Sequence, residues 1–358
     1  MARFDRVRLR ALARRDVLAG GAALVAGCTQ RAPHAGGDDS SPSGTPDPEP
    51  VLGEEEVPAI TSNSAFYVTW FGQPAEIGDD WTLAVQREGA ALGALDLAGL
   101  GALEARDVEL TLQCIESRPD NQAMDNAVWQ GLPLTEVLDA LGLSAADWAG
   151  AGHIAFRCAD LMELSLPTDE LDGLWLVWGM NGEELPLDHG WPVRLLAPGH
   201  FGWLNPKQIV GIDFLDDELE LWWAEIIIGW VEQGDFDEAS DPLARDLPGQ
   251  ALVVSPTDLD VIDEGTRVRV IGKAFAGLDP IASVEVRVDE GAWEQAELTY
   301  QGGANVWTTW RWVWSPAGPG VYSLEVRATT SSGAITEADV PDNRMPYGGG
   351  MRLEVEVV

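Results

Sequence analysis

Apolar and charged side chains alternate along five short segments toward the C-terminal end, and this alternation restricts the fold more than any other feature. Successive side chains of a β-strand point to opposite faces of its sheet, so each segment is predicted to be a strand with one buried face. The five segments are 267–270, 284–288, 310–314, 324–327 and 353–357. Short strands at this spacing over about 110 residues predict an antiparallel β-sandwich of immunoglobulin-like type across residues 250–358.

Residues 60–240 carry a mixture of strand and helix patterns. Strand-like alternation or short apolar runs occupy 81–87, 108–114, 153–157, 174–178 and 193–197. Apolar residues at helical spacing predict a helix at 134–141, and the dipeptide Asn181-Gly182 predicts a tight turn. The polar, turn-rich stretch 235–250 predicts the boundary to the C-terminal domain.

Acidic residues outnumber basic ones by 59 to 22, which gives the chain a net charge of −37. Recognition of nucleic-acid phosphates or anionic lipids needs clustered Lys and Arg, so this balance excludes a general nucleic-acid or anionic-membrane binder. Only Lys207 and Lys273 are lysines, and every other basic residue is arginine. Two interpretations of the acidity stay open at this point, which are plain solubility and adaptation to a high-salt habitat.

Residues 1–28 have the composition of an export signal. Six arginines precede the apolar run 17–26, which is far shorter than the roughly 20 residues of a membrane-spanning helix. Arg14-Arg15 fits the twin-arginine route, and small residues before Cys28 resemble a lipoprotein cleavage site, with a plain signal as the alternative. Residues 29–59 are rich in Gly, Ser, Asp and Pro and predict a disordered tether. We therefore expect an extracytoplasmic protein of the cell envelope, held to the membrane through a lipid on Cys28 only.

The common catalytic and cofactor motifs are missing from the sequence. It contains no dinucleotide-binding glycine motif, phosphate-binding loop, serine-hydrolase elbow, zinc-protease motif or haem attachment site. Cys114 stands out because it ends an apolar strand face shared with Leu110 and Leu112, with Arg118 in the loop that follows. A sheltered thiol near a cation can be a thiolate, and hence a ligand for a soft metal. A small buried core residue is the plainer alternative.

An ordered set of segments resembles the sulfite oxidase family of molybdopterin-dependent oxidoreductases. In the first domain these segments are 111–114, 126–134, 180–194, 198–199, Gly202 and Lys207. In the second they are 270–277, 281–286 and 310–312, which resemble the family's immunoglobulin-like dimerisation domain. The resemblance implies an α+β molybdopterin-binding domain of sulfite oxidase type over 60–240, followed by an all-β immunoglobulin-like sandwich over 250–358.

The resemblance also implies a role for each matched residue. Cys114 is the expected molybdenum ligand, and Arg118 and Trp129 are expected to line the substrate pocket. The residues expected to bind the cofactor are Phe71, Asp160, His200, Gly202, Asn205 and Lys207. The implied cofactor is molybdenum-molybdopterin, with no haem or flavin on this chain. The implied partners are a separate electron carrier, such as a c-type cytochrome, and a second copy of the chain that forms a homodimer.

The chain departs from the family pattern where that pattern has cations. Thr69 stands in place of an arginine that contacts substrate, and Phe71 stands in place of a histidine that contacts the pterin. The segment 202–207 lacks an arginine and a histidine of the pterin motif. These differences remove positive charge, so we expect oxygen-atom transfer on a small neutral or weakly charged donor or acceptor rather than on sulfite.

Two further departures lie near the expected site. Cys158 replaces a glycine, and the chain is shortened after Asp160, so that Met162 falls nearest to the place of an active-site tyrosine. These losses leave an alternative function of a different class. The protein would then be a cofactor-poor relative that serves as a surface-anchored binding or structural module.

Overall fold

The computed structural model describes residues 51–53, 56–70, 73–221, 241, 244–336 and 346–358. The chain divides into two units, one comprising 1–50 with Thr69–Gln73 and the other comprising Val51–Val68 with Pro74–Val358. In the first unit only Thr69, Trp70 and Gln73 are described, and none of them is in a helix or strand. The predicted signal segment 1–28, Cys28, residues 29–50 of the predicted tether and Phe71 lie outside the described residues. The prediction of a disordered tether is wrong at its C-terminal end, because Val51 and Leu52 pair with Arg267 and Val268, and Val57 belongs to a hydrophobic core. The fold described below is that of the second unit.

The N-terminal part of this unit is built mainly from strands. These are β1 Val51–Leu52, β2 Thr82–Arg87, β3 Ala90–Asp96, β4 Arg106–Gln113, β5 Met124–Pro133, β6 His153–Cys158, β7 Glu163–Pro167, β8 Trp175–Met180, β9 Glu183–Glu184, β10 Arg194–Leu196 and β11 Ile209–Leu215. The helices are α1 Leu97–Gly101 and α2 Leu134–Ala140, with single 3₁₀ turns at Thr168–Gly173, Leu187–His189 and Gly202–Leu204.

Two five-stranded sheets organise strands β2 to β11. One has the order β10-β8-β5-β4, with β9 added beside β8, and the other has the order β3-β2-β11-β6-β7. Strands β4 and β5 are antiparallel, with Val108 opposite Trp129 and Leu112 opposite Asp125. This register places the C-terminal end of β4, and hence Cys114, at the end of the sheet where β5 begins.

Strands also make up the C-terminal part. They are β12 Gln250–Ser255, β13 Asp260–Ile262, β14 Arg267–Phe275, β15 Ile281–Val288, β16 Glu294–Gln295, β17 Glu297–Gln301, β18 Thr308–Trp314, β19 Gly320–Thr330, β20 Gly349–Gly350 and β21 Arg352–Val357. One sheet has the order β17-β18-β14-β12-β20, with β1 beside β14, and the second has the order β13-β21-β19-β15-β16.

These two C-terminal sheets share one hydrophobic core. Buried residues of both sheets belong to it, including Val270 and Trp310 from the first sheet and Val286, Val326 and Val355 from the second. The alternation seen in the sequence explains this, because every second side chain of β15, β19 and β21 faces the core. The specific immunoglobulin-like connectivity stays a prediction.

The predicted strands and the predicted helix near residue 134 are confirmed, and Asn181 and Gly182 form the expected turn with φ values of 55° and 79°. The helical share is smaller than an α+β domain suggests, because α1 and α2 have only 5 and 7 residues. The described part of the first domain is therefore mostly β. Among the described residues, no helix is long and apolar enough to cross a membrane.

Candidate cofactor site

Cys114 is the first residue after β4, and its side chain is buried, with 8% relative exposure. Its backbone N–H donates to the Ala123 carbonyl at 2.8 Å, and its own carbonyl accepts from the Ser117 N–H at 3.0 Å. The chain therefore leaves β4 at Cys114 and is tied back at Ala123, immediately before it enters β5. The thiol stands at the neck of this loop, which comprises residues 114–124.

Trp129 lies beneath the site and is completely buried. Its Nε1–H donates to the Leu110 carbonyl at 3.0 Å, which ties β5 to the strand that carries Cys114. Phe66 packs edge-on against the indole, with the ring centroids 5.6 Å apart. The structure thus places Trp129 in a hydrophobic core below the site, where it supports the neighbouring residues.

Arg194, the first residue of β10, is buried at 3% relative exposure. Its terminal nitrogens donate to the carbonyls of His189 at 3.1 Å and Asn205 at 2.9 Å. Its Nε is buried and has no hydrogen-bond partner among the described residues. Burial lowers the pKa of this guanidinium to about 10. A buried guanidinium with one unused donor is suited to bind an anionic group.

Lys207 lies next to Arg194. A methyl group added at Gly190 would meet the Lys207 Cβ at 2.9 Å and the Arg194 Cβ at 3.2 Å, so both side chains leave the backbone around this one glycine. The Lys207 Nζ donates to the Asp188 carbonyl at 2.8 Å. Burial, and after it the charge of Arg194, lower the pKa of Lys207 to about 7, although Asp188 and Asp160 oppose the shift. Two cations thus share a poorly solvated place, and an anion between them would relieve their repulsion.

Tyr67 connects the two cations with the thiol. Burial raises the pKa of its hydroxyl well above the usual value; the nearby thiol of Cys114 adds to the rise, and Arg194 opposes it. A methyl group added at Gly202 would lie 2.7 Å from the Tyr67 Oη and 3.9 Å from the Cys114 Cα. The absent side chain of Gly202 therefore leaves the space that the hydroxyl occupies. The Tyr67 backbone N–H is held by the Asp125 carboxylate at 2.8 Å.

His189 completes this group. It is buried, and its Nε2–H donates to the Asn63 carbonyl at 2.7 Å. Burial lowers its pKa, and the charges of Arg194 and Lys207 lower it further. A neutral imidazole held in this way orders the short turn that leads to Gly190. Together, Cys114, Tyr67, His189, Arg194 and Lys207 form what we call the thiol–cation group.

Four of the residues predicted from the sequence lie in or beside the thiol–cation group. Cys114 and Lys207 belong to it, and Gly202 touches it through Tyr67. Asp160 lies near Lys207, and its carboxylate accepts from the Met162 N–H at 3.0 Å; burial raises its pKa. Their binding roles remain predictions, since the arrangement shows proximity alone.

The other predicted residues have different surroundings. Arg118 forms a half-exposed ion pair with Asp120 in the loop after Cys114, at 2.5 Å. Asn205 is buried, and its side chain bonds only backbone groups, at Ala197 and Phe201. His200 directs Nε2 to a Glu170 carboxylate oxygen at 2.7 Å and Nδ1 to the Arg245 carbonyl at 3.3 Å. Asn205 thus supports Arg194 through its carbonyl, while His200 ties residue 245 to the turn at Glu170.

Two residues of the thiol–cation group, His189 and Arg194, were missed as site residues in the sequence analysis. Both lie in the segment 180–194, which carries the family resemblance, and each is a cation or potential cation beside Gly190. Tyr67 was missed as well, because the interpretation of its segment rested on the arginine that Thr69 replaces. The fold brings these residues together by placing a turn beside the end of a strand. A motif with fixed spacing in the sequence does not report this arrangement.

The group fits an anionic cofactor that brings its own metal ligands. Among the described residues, no cluster of three or more His, Cys, Asp and Glu could hold a metal ion. A metal at Cys114 would thus need its other ligands from a cofactor. The buried Arg194 Nε has no hydrogen-bond partner within the described part of the chain. An orphaned buried donor in the thiol–cation group is what a polar cofactor would satisfy.

Two surface cavities occur elsewhere in the described structure. One of about 350 Å³ is lined by Trp148 and Thr168, and one of about 440 Å³ is lined by Trp178 and Trp191. Neither cavity is lined by a residue of the thiol–cation group. The group is therefore identified by its chemistry and not by the size of a cavity.

Comparisons with known proteins agree with this chemistry. Residues 71–223 match the family described as oxidoreductase molybdopterin binding domain. The chain is 28% identical over 272 residues to mitochondrial sulfite oxidase of Mus musculus, covering 67% of this chain and 49% of that protein. It is 28% identical over 244 residues to sulfite oxidase of Arabidopsis thaliana, covering 58% of this chain and 62% of that protein. The chain thus spans about half to three-fifths of these relatives.

The fold agrees with a solved structure over most of the chain. The sulfane dehydrogenase SoxCD from Paracoccus pantotrophus superposes with a TM-score of 0.68 over 84% of this chain and 82% of that one, at 18% identity. At this identity the match concerns the fold alone. The domain match, the sulfite oxidase relatives and the shared fold agree with one another: residues 71–223 match the molybdopterin-binding oxidoreductase family, and the chain resembles the sulfite oxidases as a divergent relative.

Proposed function

We propose that the protein is an exported, lipid-anchored molybdenum enzyme that transfers an oxygen atom to or from a small neutral or weakly charged substrate. The two electrons of each turnover would pass between the enzyme and a separate carrier. One observation carries the proposal: the buried thiol of Cys114 shares its surroundings with two desolvated cations, Arg194 and Lys207. A structural core gains little from placing two cations side by side, because desolvation of like charges is costly.

The cations would hold the anionic part of the cofactor. Arg194 offers an unused Nε–H beside two donors that are already fixed by carbonyls, so its guanidinium is oriented before anything binds. Lys207, whose Cβ lies against the same side of Gly190, adds an ammonium. An anion in contact with both would raise the pKa of Lys207 toward its ordinary range and hold it protonated at neutral pH.

Cys114 would provide the protein's own bond to the metal. Its backbone is fixed at Ala123 and Ser117, so the direction of the thiol is set by the loop neck and not by a flexible side chain. The bound molybdenum cofactor supplies the two-electron redox chemistry of oxygen-atom transfer. The buried thiol and the partly buried Tyr67 ring limit the access of water from the side of the site that these residues line.

The charge of the chain supports a neutral or weakly charged substrate. A chain with net charge −37 repels an approaching dianion over several ångströms at ordinary ionic strength. The one cation expected from the sequence beside the substrate, Arg118, is paired with Asp120 and is therefore already neutralised. A sulfoxide-like or other neutral oxo-compound would meet neither obstacle.

The proposal extends to location and partners. Export by the twin-arginine route, lipidation at Cys28 and residence outside the cytoplasm rest on the pattern of residues 1–28. An acidic surface favours a basic electron carrier, for which a c-type cytochrome is suitable. The homodimer through residues 250–358 is supported by the resemblance of the two C-terminal sheets to a dimerisation domain and by the frequency of symmetric dimers.

A direct test compares the cofactor content of two arginine variants. Arg194→Met removes the buried guanidinium, whereas Arg245→Met removes one that forms an ion pair with Glu218 elsewhere. Pterin released from the purified proteins is measured by its fluorescence after oxidation. The proposal predicts strong loss of pterin in Arg194→Met only. Equal pterin in both variants would overturn the assigned role of Arg194, whereas no pterin in the unmodified protein made in molybdate-replete cells would favour the cofactor-poor binding module instead.

A further inference from the structure

The loop that presents Cys114 is closed by one backbone hydrogen bond. Cys114 leaves β4, the loop runs outward past Arg118, and the chain returns at Ala123, whose carbonyl accepts the Cys114 N–H at 2.8 Å. Any displacement of Ala123 therefore displaces the backbone of Cys114. What holds Ala123 in place determines how firmly the thiol is positioned.

Lys273 holds the residues on both sides of Ala123. It lies on β14, in a C-terminal sheet, and its ammonium donates to the Gln122 carbonyl at 3.1 Å and to the Met124 carbonyl at 2.7 Å. The side chain is buried, with a relative exposure of 6% for the residue, so these carbonyls replace the water that an exposed ammonium would bind. Hydrogen bonds from a charged donor are about twice as strong as neutral ones.

The charge on Lys273 is partly compensated within the fold. Asp125, one residue beyond Met124, attracts the ammonium, and the Trp307 ring lies 5.4 Å from Nζ. Burial nevertheless lowers the pKa of Lys273 to about 8. The same Asp125 carboxylate accepts the Tyr67 N–H, so the surroundings of Lys273 also reach the tyrosine of the thiol–cation group.

A second contact from the C-terminal sheets fixes the same loop. Gln250 on β12 donates to the Ser117 carbonyl at 2.8 Å, and its amide oxygen accepts from the Ser117 hydroxyl at 3.2 Å. The Gln122 side chain donates to the Val253 carbonyl at 2.6 Å. The near limb of the loop is thus bonded to β12, and the far limb to both β12 and β14, and the N-terminal domain alone does not supply these contacts.

The presence of lysine and not arginine at position 273 is informative about the role of this side chain. The chain has 22 basic residues, of which only Lys207 and Lys273 are lysines. A compact ammonium can reach two carbonyls that flank one residue, whereas the planar fork of arginine matches carboxylates and phosphates. Lys207 lies beside Arg194, and Lys273 lies beneath the Cys114 loop. All other basic residues of the chain are arginines.

We propose that Lys273 is a positioning residue for Cys114, through which the C-terminal sheets fix the loop that presents the thiol. The C-terminal domain then has a role in the metal site besides any role in dimerisation. The consequence for molybdenum binding rests on the proposed function, whereas the consequence for the order of the loop does not.

The test measures the reactivity of the Cys114 thiol in full-length protein made without molybdate. Iodoacetamide labelling is followed by peptide mapping, with Cys158, a second buried thiol, as the internal reference. Lys273→Met should raise the labelling rate of Cys114 relative to Cys158 on the order of tenfold, since freer local opening exposes the thiol. Lys273→Arg, which keeps the charge, should show a smaller rise.

Arg287→Met is the matched control. It breaks a part-buried ion pair with Glu325 between β15 and β19, and so weakens the C-terminal sheets without touching the Cys114 loop. It should leave the labelling ratio unchanged. If Lys273→Met does not fold, Gln250→Leu removes the contacts to Ser117 and should raise the ratio in the same direction.

Unchanged Cys114 labelling in both folded Lys273→Met and folded Gln250→Leu would overturn the proposal, as would an equal rise in Arg287→Met. Molybdenum per chain, measured on the same variants made with molybdate, separates the two claims. A faster-labelled Cys114 in a protein that never holds molybdenum would uphold the positioning role and reject the proposed enzyme. Full molybdenum content together with unchanged Cys114 labelling in the variants would uphold the proposed enzyme and reject the positioning role.

Discussion

The guanidinium of Arg194 lies over the indole of Trp129, with the arginine Cζ 5.0 Å from the ring centroid. A desolvated cation–π contact contributes about 2 kcal/mol, which offsets part of the cost of burying the charge. The same indole is bonded to Leu110 on the strand that ends at Cys114. One tryptophan therefore supports both the cation and the thiol-bearing strand of the proposed cofactor site.

Replacement of Trp129 should destabilise the whole fold and not only the site. Trp129→Phe keeps a ring beneath Arg194 but loses the buried bond to Leu110, and we expect a loss of about 1–3 kcal/mol in the free energy of unfolding. Trp129→Ala should lose about 3–5 kcal/mol. Urea denaturation measures both. Trp312→Phe, which loses an exposed indole bond to Glu294, is the control and should change stability by less than about 1 kcal/mol. A Trp129→Phe protein as stable as the control would contradict this assignment.

Lys207 should make the cofactor-free protein more stable as the pH rises. Its pKa is about 7 in the folded chain, against an ordinary lysine value of 10.5, so the folded state disfavours the proton. The unfolded chain binds more protons between these values, and the free energy of unfolding therefore increases with pH across that window. Below about pH 7 the full cost of the buried charge is present. Lys207→Met should be most stabilising relative to the unmodified protein near pH 6, and this advantage should shrink toward pH 10.

Unfolding midpoints at several pH values check this expectation. Arg311→Met, which breaks an exposed ion pair with Glu297, is the control. Its stability relative to the unmodified protein should not change with pH above pH 6. A pH dependence that is the same in Lys207→Met and in the unmodified protein would show that Lys207 does not titrate in this range. Bound cofactor should flatten the slope, because an anion beside Lys207 restores its affinity for the proton.

Sulfite should be a poor substrate compared with a neutral sulfoxide. Each missing contact between a cation and the sulfite dianion forfeits about 1.5–3 kcal/mol, roughly ten- to a hundredfold in affinity. Thr69→Arg restores a cation at the place where the resemblance has an arginine, and it should lower the KM for sulfite more than the KM for a sulfoxide. Steady-state assays make the comparison, with an artificial electron acceptor for sulfite oxidation and an artificial electron donor for sulfoxide reduction. Efficient sulfite oxidation by the unmodified protein would reject the preference.

Cys28 should anchor the mature protein to a membrane. Small residues precede it and a polar tether follows it, and a diacylated cysteine holds a protein stably by burial of its chains. Cys28→Ala should appear in the salt-washed soluble fraction, whereas Cys158→Ala should stay with the membranes. A Cys28→Ala protein that remains bound after the wash would show that the anchor lies elsewhere.

Alternating residues were enough to predict most strands, because alternation reports which face of a strand is covered. The face of β4 that carries Leu110 and Leu112 was predicted correctly to be buried. The opposite face was not, since Thr111 is buried against Trp307, whose N–H it accepts at 2.9 Å. That contact joins residues 196 positions apart, and no local pattern reports it.

The sequence could predict a site residue only where the chemistry of that one residue was distinctive. Cys114 could be chosen because a cysteine at the end of an apolar strand face is conspicuous. Arg194 and Lys273 could not, since a lone charged residue in a sequence is normally expected at the surface. Their burial depends on carbonyls that the fold collects from separate turns, at His189 and Asn205 for the first and at Gln122 and Met124 for the second.

The most direct test of the account is molybdenum per chain in Cys114→Ser against Cys158→Ser. Both thiols are buried, and neither forms a disulfide, so the two substitutions are matched in kind and in burial. Elemental analysis of protein purified from molybdate-replete cells should give close to one molybdenum per chain for the unmodified protein and Cys158→Ser, and far less for Cys114→Ser. Equal molybdenum in both variants, or none in the unmodified protein, would contradict the assignment of Cys114 as the metal ligand.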